Sequence, residues 1–318
     1  MLNFFDENPA YENHVLFTDG SGQSVTYQDW YAHSKNLGKI LSSPNRQLAA
    51  IICHNTIGSA LSYLCCLQNR IVPLLIDHDM DAELRQRLLS IYNPNYIFKP
   101  VDSRSEALYT LNGYGIYRSS NTVHKIHPDL ALLLTTSGST GSPKLVRQSY
   151  TNIQANAASI AQYLKITAQD HPISSLPMHY TFGLSVINSH VLCGACECLT
   201  EATVFDKTFW DICQRDEITS IAGVPFTYEC LKRVGFMTMN LPKLALMIQA
   251  GGHLSTRLQK EYLEFAHKTG KRFIVMYGQT EATARMSYLP FDMGLKKIGS
   301  IGLSISWMMK KQKSHSPM

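Results

Sequence analysis

Apolar and polar positions along this chain alternate between two rhythms. Short unbroken apolar runs, "QLAAIICHN" (47–55), "IVPLLID" (71–77), "NYIFK" (95–99) and "DLALLLTT" (129–136), read as strands buried on both faces. Longer stretches with helical spacing stand between them: "QDWYAHSKNLGKIL" after a short strand in "SVTY", then "IGSALSYLCCLQN", then "DAELRQRLLSIYN", which sets Leu84, Leu88 and Ile91 on one face. The second half repeats the habit. "YTNIQANAASIAQYL" carries Ile153, Ala157, Ile160 and Leu164 in one stripe, "PISSL" reads as a strand and "GLSVINSHVLCGA" as a helix. "KLALMIQAGG" is a strand ending in a glycine pair, and "RFIVMYG" is another. Between these two strands lies the helix "STRLQKEYLEFAHKTG", with Ser255 as N-cap and Gly270 just past its end. Strand and helix in strict alternation predict an α/β fold of two parallel-sheet lobes covered by helices.

Composition narrows the class. A chain of 318 residues with 45% hydrophobic residues can bury a large core. Its formal charge of +5 is spread thinly except at Lys310, Lys311 and Lys313, which argues against nucleic-acid binding. No apolar stretch approaches the roughly 20 residues that cross a bilayer. The N-terminus "MLNFFDENPAYENH" has no basic start and no apolar core of a signal peptide, so a cytoplasmic protein is expected. The eight cysteines mostly sit in apolar surroundings. "CGACEC" at Cys193, Cys196 and Cys198 invites a zinc reading, but no second Cys or His pair stands nearby at ligand spacing, and a buried structural role is favoured.

One stretch packs no core. "LLLTTSGSTGSPKLV" (132–146) follows a buried strand with hydroxyls at Thr135, Thr136, Ser137, Ser139 and Thr140, glycines at 138 and 141, and a cation at Lys144. Hydroxyl donors, backbone amides freed by glycine and a lysine are equipment for holding a polyphosphate. The P-loop spacing fails, because Gly138 and Gly141 are separated by two residues only and Lys144 is followed by Leu145.

With its neighbours, this stretch resembles the phosphate-binding signature of the adenylate-forming superfamily, which includes acyl-CoA and aryl-CoA ligases, luciferases and peptide-synthetase adenylation domains. Further segments resemble family motifs in the family's order: "LPMHYTFGLSVINS" (176–189), "SIAGVPFTYECL" (220–231), "IQAGGHLS" (248–255), "MYGQTEAT" (276–283) and "IGSIGLSI" (298–305). The resemblance covers residues 1–305 as the large N-terminal domain. It implies ATP-dependent activation of a small carboxylic acid to an acyl-adenylate, with Mg²⁺, and transfer to the thiol of coenzyme A or an acyl carrier protein.

Carried over by residue, the resemblance has Thr136, Ser137, Gly138, Ser139, Thr140, Gly141 and Lys144 cradle the phosphates. Tyr277 and Gly278 with Gly251, Gly252 and Gln279 flank the nucleotide, Thr280 bonds the α-phosphate, and Glu281 holds the magnesium. Lys144, Thr280 and Glu281 form the implied catalytic set, although Glu281 could also be an ordinary loop carboxylate. The acid pocket is implied at His179, Tyr180, Phe182, Gly183, Val224 and Met276, where ordinary core residues would serve as well. Many relatives carry His at the position of Tyr180; here His179 stands one place earlier. After Ile305 the chain reads "SWMMKKQKSHSPM", a basic tail (306–318) unlike the family. The Thr-Gly-Asp segment and the C-terminal domain with its lysine do not follow. The expectation is thus a truncated enzyme, impaired unless a separate polypeptide supplies that domain; the alternative is a non-catalytic remnant that at most binds nucleotide.

Overall fold

A computed structural model describes residues 2–103, 105–135 and 145–305. The chain opens with β1 (Val15–Asp19) and β2 (Ser24–Thr26), then α1 (Tyr27–Ile40), β3 (Leu48–Cys53), α2 (Ile57–Gln68), β4 (Val72–Asp77), α3 (Ala82–Tyr92) and β5 (Tyr96–Pro100). A hairpin of β6 (Tyr109–Leu111) and β7 (Tyr114–Arg118) precedes β8 (Leu130–Thr135) and β9 (Leu145–Ser149). The second half runs α4 (Tyr150–Leu164), β10 (Pro172–Ile173), α5 (Thr181–Leu192), β11 (Glu197–Leu199), α6 (Lys207–Arg215), β12 (Ser220–Gly223) and α7 (Pro225–Arg233). It ends with β13 (Leu246–Gln249), α8 (Thr256–Thr269), β14 (Arg272–Tyr277), β15 (Ser287–Leu289) and β16 (Leu303–Ser304).

These strands form the two expected sheets. Seven lie in the order β6-β7-β5-β3-β4-β8-β9, with β5, β3, β4 and β8 parallel. Nine lie in the order β16-β15-β14-β13-β12-β10-β11-β1-β2, parallel from β14 to β1. The central strands are mostly apolar because successive side chains feed opposite covered faces. Ala49, Ile51 and Cys53 of β3 join the core under α2, whereas Leu48 and Ala50 join the cluster that packs Leu89 and Tyr92. In the second sheet Met247 and Phe273 face the α7–α8 side, and Leu246, Ile248, Ile274 and Met276 face the side of α4 and α5. That alternation aims Met276 at the site described below.

Helix boundaries follow local chemistry. Thr26 and Asp29 form a reciprocal capping box at the start of α1. The Ser255 hydroxyl accepts from Leu258 N–H at the start of α8, and Gly270 ends that helix at φ 70°, as expected.

Two expectations needed adjustment, and one pairing was not anticipated. Helix α3 buries Leu88 and packs Leu89 and Tyr92 against the cluster of Leu48, Ala50 and Leu74, a face that leaves Ile91 55% exposed. The strand in "PISSL" has only two residues. Strands β1 and β2 do not join the first lobe; β1 pairs in parallel with β11, across some 180 residues of chain. All eight cysteines are free. Burial pushes the thiols of Cys193 and Cys198 up to about 11 and that of Cys196 to about 12. Among the described residues no helix is long and apolar enough to cross a membrane.

Candidate functional site

Parallel strands direct their C-terminal ends to one edge of a sheet, and the loops beyond those ends are where α/β proteins gather ligands. Here β8 ends at Thr135, β13 runs into Ala250 and Gly251, and β14 runs into Gly278, Gln279, Thr280 and Glu281. Together with Tyr180, Thr181 and Phe182 at the start of α5, and with Ala284 and Arg285, they enclose a cavity of about 250 Å³.

The backbone there is tightly folded. A Cβ on Gly278 would lie 1.5 Å from the Ala284 carbonyl oxygen, so residues 278–285 can close on themselves only around a glycine. Thr283 and Ala284 adopt left-handed conformations at φ 59° and 70° to complete the reversal. The Gln148 amide of β9 donates to the Thr280 carbonyl at 3.0 Å and anchors the turn from the first lobe. Gly251 has φ 78°, and a Cβ there would meet the Tyr180 hydroxyl at 2.8 Å and Val224 Cγ1 at 2.9 Å. The glycine pair thereby admits Tyr180 and Val224 to one wall.

Most of the anticipated residues converge. Tyr180, Phe182, Gly251, Gly278, Gln279, Thr280 and Glu281 line the cavity; Val224 touches it through Gly251, and Met276 lies behind it in the apolar cluster with Phe182 and Ile274. Burial raises the phenol pKa of Tyr180, so it faces the cavity as a neutral donor. Tyr277 leaves 42% of its surface open at the strand end. The Glu281 side chain is exposed and forms no ion pair among the described residues. Gly252 sits at the exposed rim against Pro225, and Gly183 is a packing glycine whose Cβ would strike the Pro177 carbonyl at 2.4 Å.

Thr136, Ser137, Gly138, Ser139, Thr140, Gly141 and Lys144 lie outside the described residues. Their flanks are placed: Thr135 lines the cavity and pairs with Leu145 across β8 and β9.

His179 stands apart from Tyr180. It lines a second cavity of about 670 Å³ between the lobes, where its Nε2 lies 3.5 Å from Asp77 Oδ2 and burial lowers its pKa. His54 and His78 stack there at 3.9 Å, and His54 Nδ1 meets Glu201 at 2.7 Å. Residues 177–180 form a turn, closed by Tyr180 N–H donating to the Pro177 carbonyl at 3.1 Å, and this turn leaves His179 and Tyr180 in different cavities.

One residue escaped the sequence reading. Arg285 is only 2% exposed. Its Nε donates to Ser185 Oγ at 3.1 Å, its Nη1 to Tyr163 Oη at 3.4 Å, and its guanidinium lies 5.0 Å from the Phe182 ring centroid. No local signal marked it, since "ATARMSY" reads as a polar loop.

Comparison with known proteins agrees with this geometry. The AMP-binding enzyme family model matches residues 4–311. The chain is similar to the 2-succinylbenzoate–CoA ligase of Bacillus subtilis (strain 168), 25% identical over 294 residues, covering 88% of this chain and 59% of that protein. The corresponding ligase of Staphylococcus aureus (strain Newman) is 26% identical over 301 residues, with 83% and 60% covered. The chain spans about 60% of the length of these curated relatives. In fold it resembles the o-succinylbenzoate CoA synthetase of Bacillus subtilis in complex with its acyl-adenylate intermediate, at TM-score 0.74 and 22% identity, covering 92% of this chain and 61% of that one. VinN in complex with L-aspartate aligns at TM-score 0.77 and 20% identity, covering 93% and 80%. The ordered motifs, the two sheets and the family match together show that this chain belongs to the AMP-binding enzyme family.

Proposed function

We propose that this chain carries the nucleotide and acid sites of an enzyme that activates a carboxylic acid with ATP, releasing pyrophosphate and forming an acyl-adenylate. The observation that carries the reading is the single cavity on which Thr135, Tyr180, Gly251 and Gly278 to Glu281 converge. A carboxylate attacks the α-phosphorus, the bond to pyrophosphate breaks, and charge grows on the phosphate oxygens. Fixed donors and cations aimed at those oxygens lower the barrier.

In this reading Tyr277 and the Gly251–Gly252 turn flank the adenine, the Thr280 hydroxyl donates to the α-phosphate, and the Ser/Gly segment with Lys144 holds the outer phosphates. Glu281, a carboxylate without an ion-pair partner among the described residues, fits a hard cation that takes oxygen ligands. Magnesium bound there would neutralise phosphate charge. Tyr180 donates to the carboxylate of the acid, and Phe182, Val224 and Met276 wall its carbon skeleton. The thiol of coenzyme A or of an acyl carrier protein then accepts the acyl group.

Acid-dependent exchange of labelled pyrophosphate into ATP tests the proposal. Wild-type chain should exchange with at least one acid of a panel, and Glu281→Gln should lower the rate by at least about tenfold, since even outer-shell partners of a metal cost that much. Exchange indifferent to Glu281→Gln contradicts the assignment.

A further inference from the structure

Arg285 is among the largest fully buried side chains of the protein, yet no carboxylate answers it among the described residues. Its contacts are neutral: a serine hydroxyl, a tyrosine hydroxyl, the Met276 sulfur at 3.6 Å and the face of Phe182. Its Nη2 has no hydrogen-bond partner among the described residues. A buried, unpaired charge strongly destabilises a fold, so a protein keeps one where a ligand neutralises it.

Its place tells which ligand. Arg285 is the one cation among the described residues lining the 250 Å³ cavity. Its head reaches Tyr163 of α4, Ser185 and Phe182 of α5 and Met276 of β14, inside the apolar side of the site. The residues suited to the nucleotide, Gly251, Tyr277 and Gln279, are exposed, whereas the Arg285 head is buried.

The residue is also held still. The Asn156 amide donates to the Arg285 carbonyl at 2.9 Å, and Arg285 N–H donates to the Thr283 carbonyl at 3.1 Å. Nor do its neighbours depend on the cation, because Ser185 Oγ donates to the Phe182 carbonyl at 2.6 Å and Tyr163 Oη to Met276 Sδ at 3.0 Å.

Resting on the acid-activation reading for the identity of this pocket, we propose that Arg285 binds a second carboxylate on the substrate. The acid is then a small dicarboxylate, activated at one end and held at the other. The planar guanidinium fork matches a carboxylate, and the apolar surroundings strengthen the pairing.

The test titrates malonate, succinate, glutarate and adipate, and the monomethyl ester of each, into the full chain by calorimetry, with and without ATP and Mg²⁺. At least one diacid should bind about tenfold or more tightly than its own ester, as a hydrogen-bonded charge pair requires. Arg285→Met and Arg285→Gln should erase that preference and Arg285→Lys should keep part of it. Arg285→Met should unfold cooperatively at a temperature no lower than wild type, whereas a residue with a purely structural role would lower it. Equal binding of diacids and esters, or a preference that survives Arg285→Met, overturns the proposal. Diacid preference without any ATP binding would leave the anion subsite standing and remove the activation reading instead.

Discussion

Glu197 shows what a single buried carboxyl does to the whole molecule's response to pH. It lies on β11 opposite Phe17, is 2% exposed, and its Oε2 has no hydrogen-bond partner among the described residues. Burial pushes its pKa well above the ordinary carboxylate value. The unfolded chain gives up that proton near the ordinary value, while the folded chain retains it, so the folded state binds more protons above about pH 4.5. Stability from this group is therefore complete in acid and declines as pH rises, by up to about 1.4 kcal/mol per pH unit. Glu197→Gln keeps the shape without the charge, and should raise Tm at about pH 7 to 8 and flatten the decline. Thermal unfolding of both proteins across that range checks this; identical slopes would refute it. At this scale the site was half legible. Thr280, Glu281 and Tyr180 could be named from motif order, because their chemistry is local. Arg285 could not, because its meaning comes from α4 and α5 closing over it.

The turn after β14 is the element on which the site depends. With 1.5 Å between a Cβ at Gly278 and the Ala284 carbonyl oxygen, Gly278→Ala must open the turn that places Thr280 and Glu281. Overpacking of this kind costs about 1 to 3 kcal/mol, and at a backbone contact the upper end applies. The variant should melt several degrees lower and lose ATP binding; a wild-type melting curve with intact binding would show that the turn is not so constrained. Elements that bury both faces, such as β3 and β4, were plain in the sequence as unbroken apolar runs, and helices with polar caps, such as α8, declared both ends. The β6–β7 hairpin went unread although Asn112-Gly113 carries its signal, both residues lying at positive φ of 41° and 81°. Ile91 misled because periodicity reports a face and not how far a neighbour covers it.

Across the whole molecule, one core joins the lobes. Trp30 of α1, Leu64 of α2, Ile51 of β3, Ile153 of α4 and Ile187 of α5 belong to the same buried cluster. Asn55 bridges the lobes twice, donating to the Leu176 carbonyl at 3.1 Å and accepting from Met178 N–H at 3.0 Å. Tyr63 reaches Asn188 at 3.0 Å. The two sheets are thus held in register, which lets Gln148 on the first lobe anchor the Thr280 turn on the second. Such pairing, like that of β1 with β11, joins segments distant in the chain and leaves no mark in local pattern. The most direct test of the account is calorimetric titration of ATP into the full chain and into Glu281→Ala, each with and without Mg²⁺. The account predicts saturable one-site binding that magnesium strengthens, weakened by about tenfold or more in Glu281→Ala only when magnesium is present. A folded chain that takes up no ATP, or binds it alike with and without Glu281 and magnesium, would contradict it.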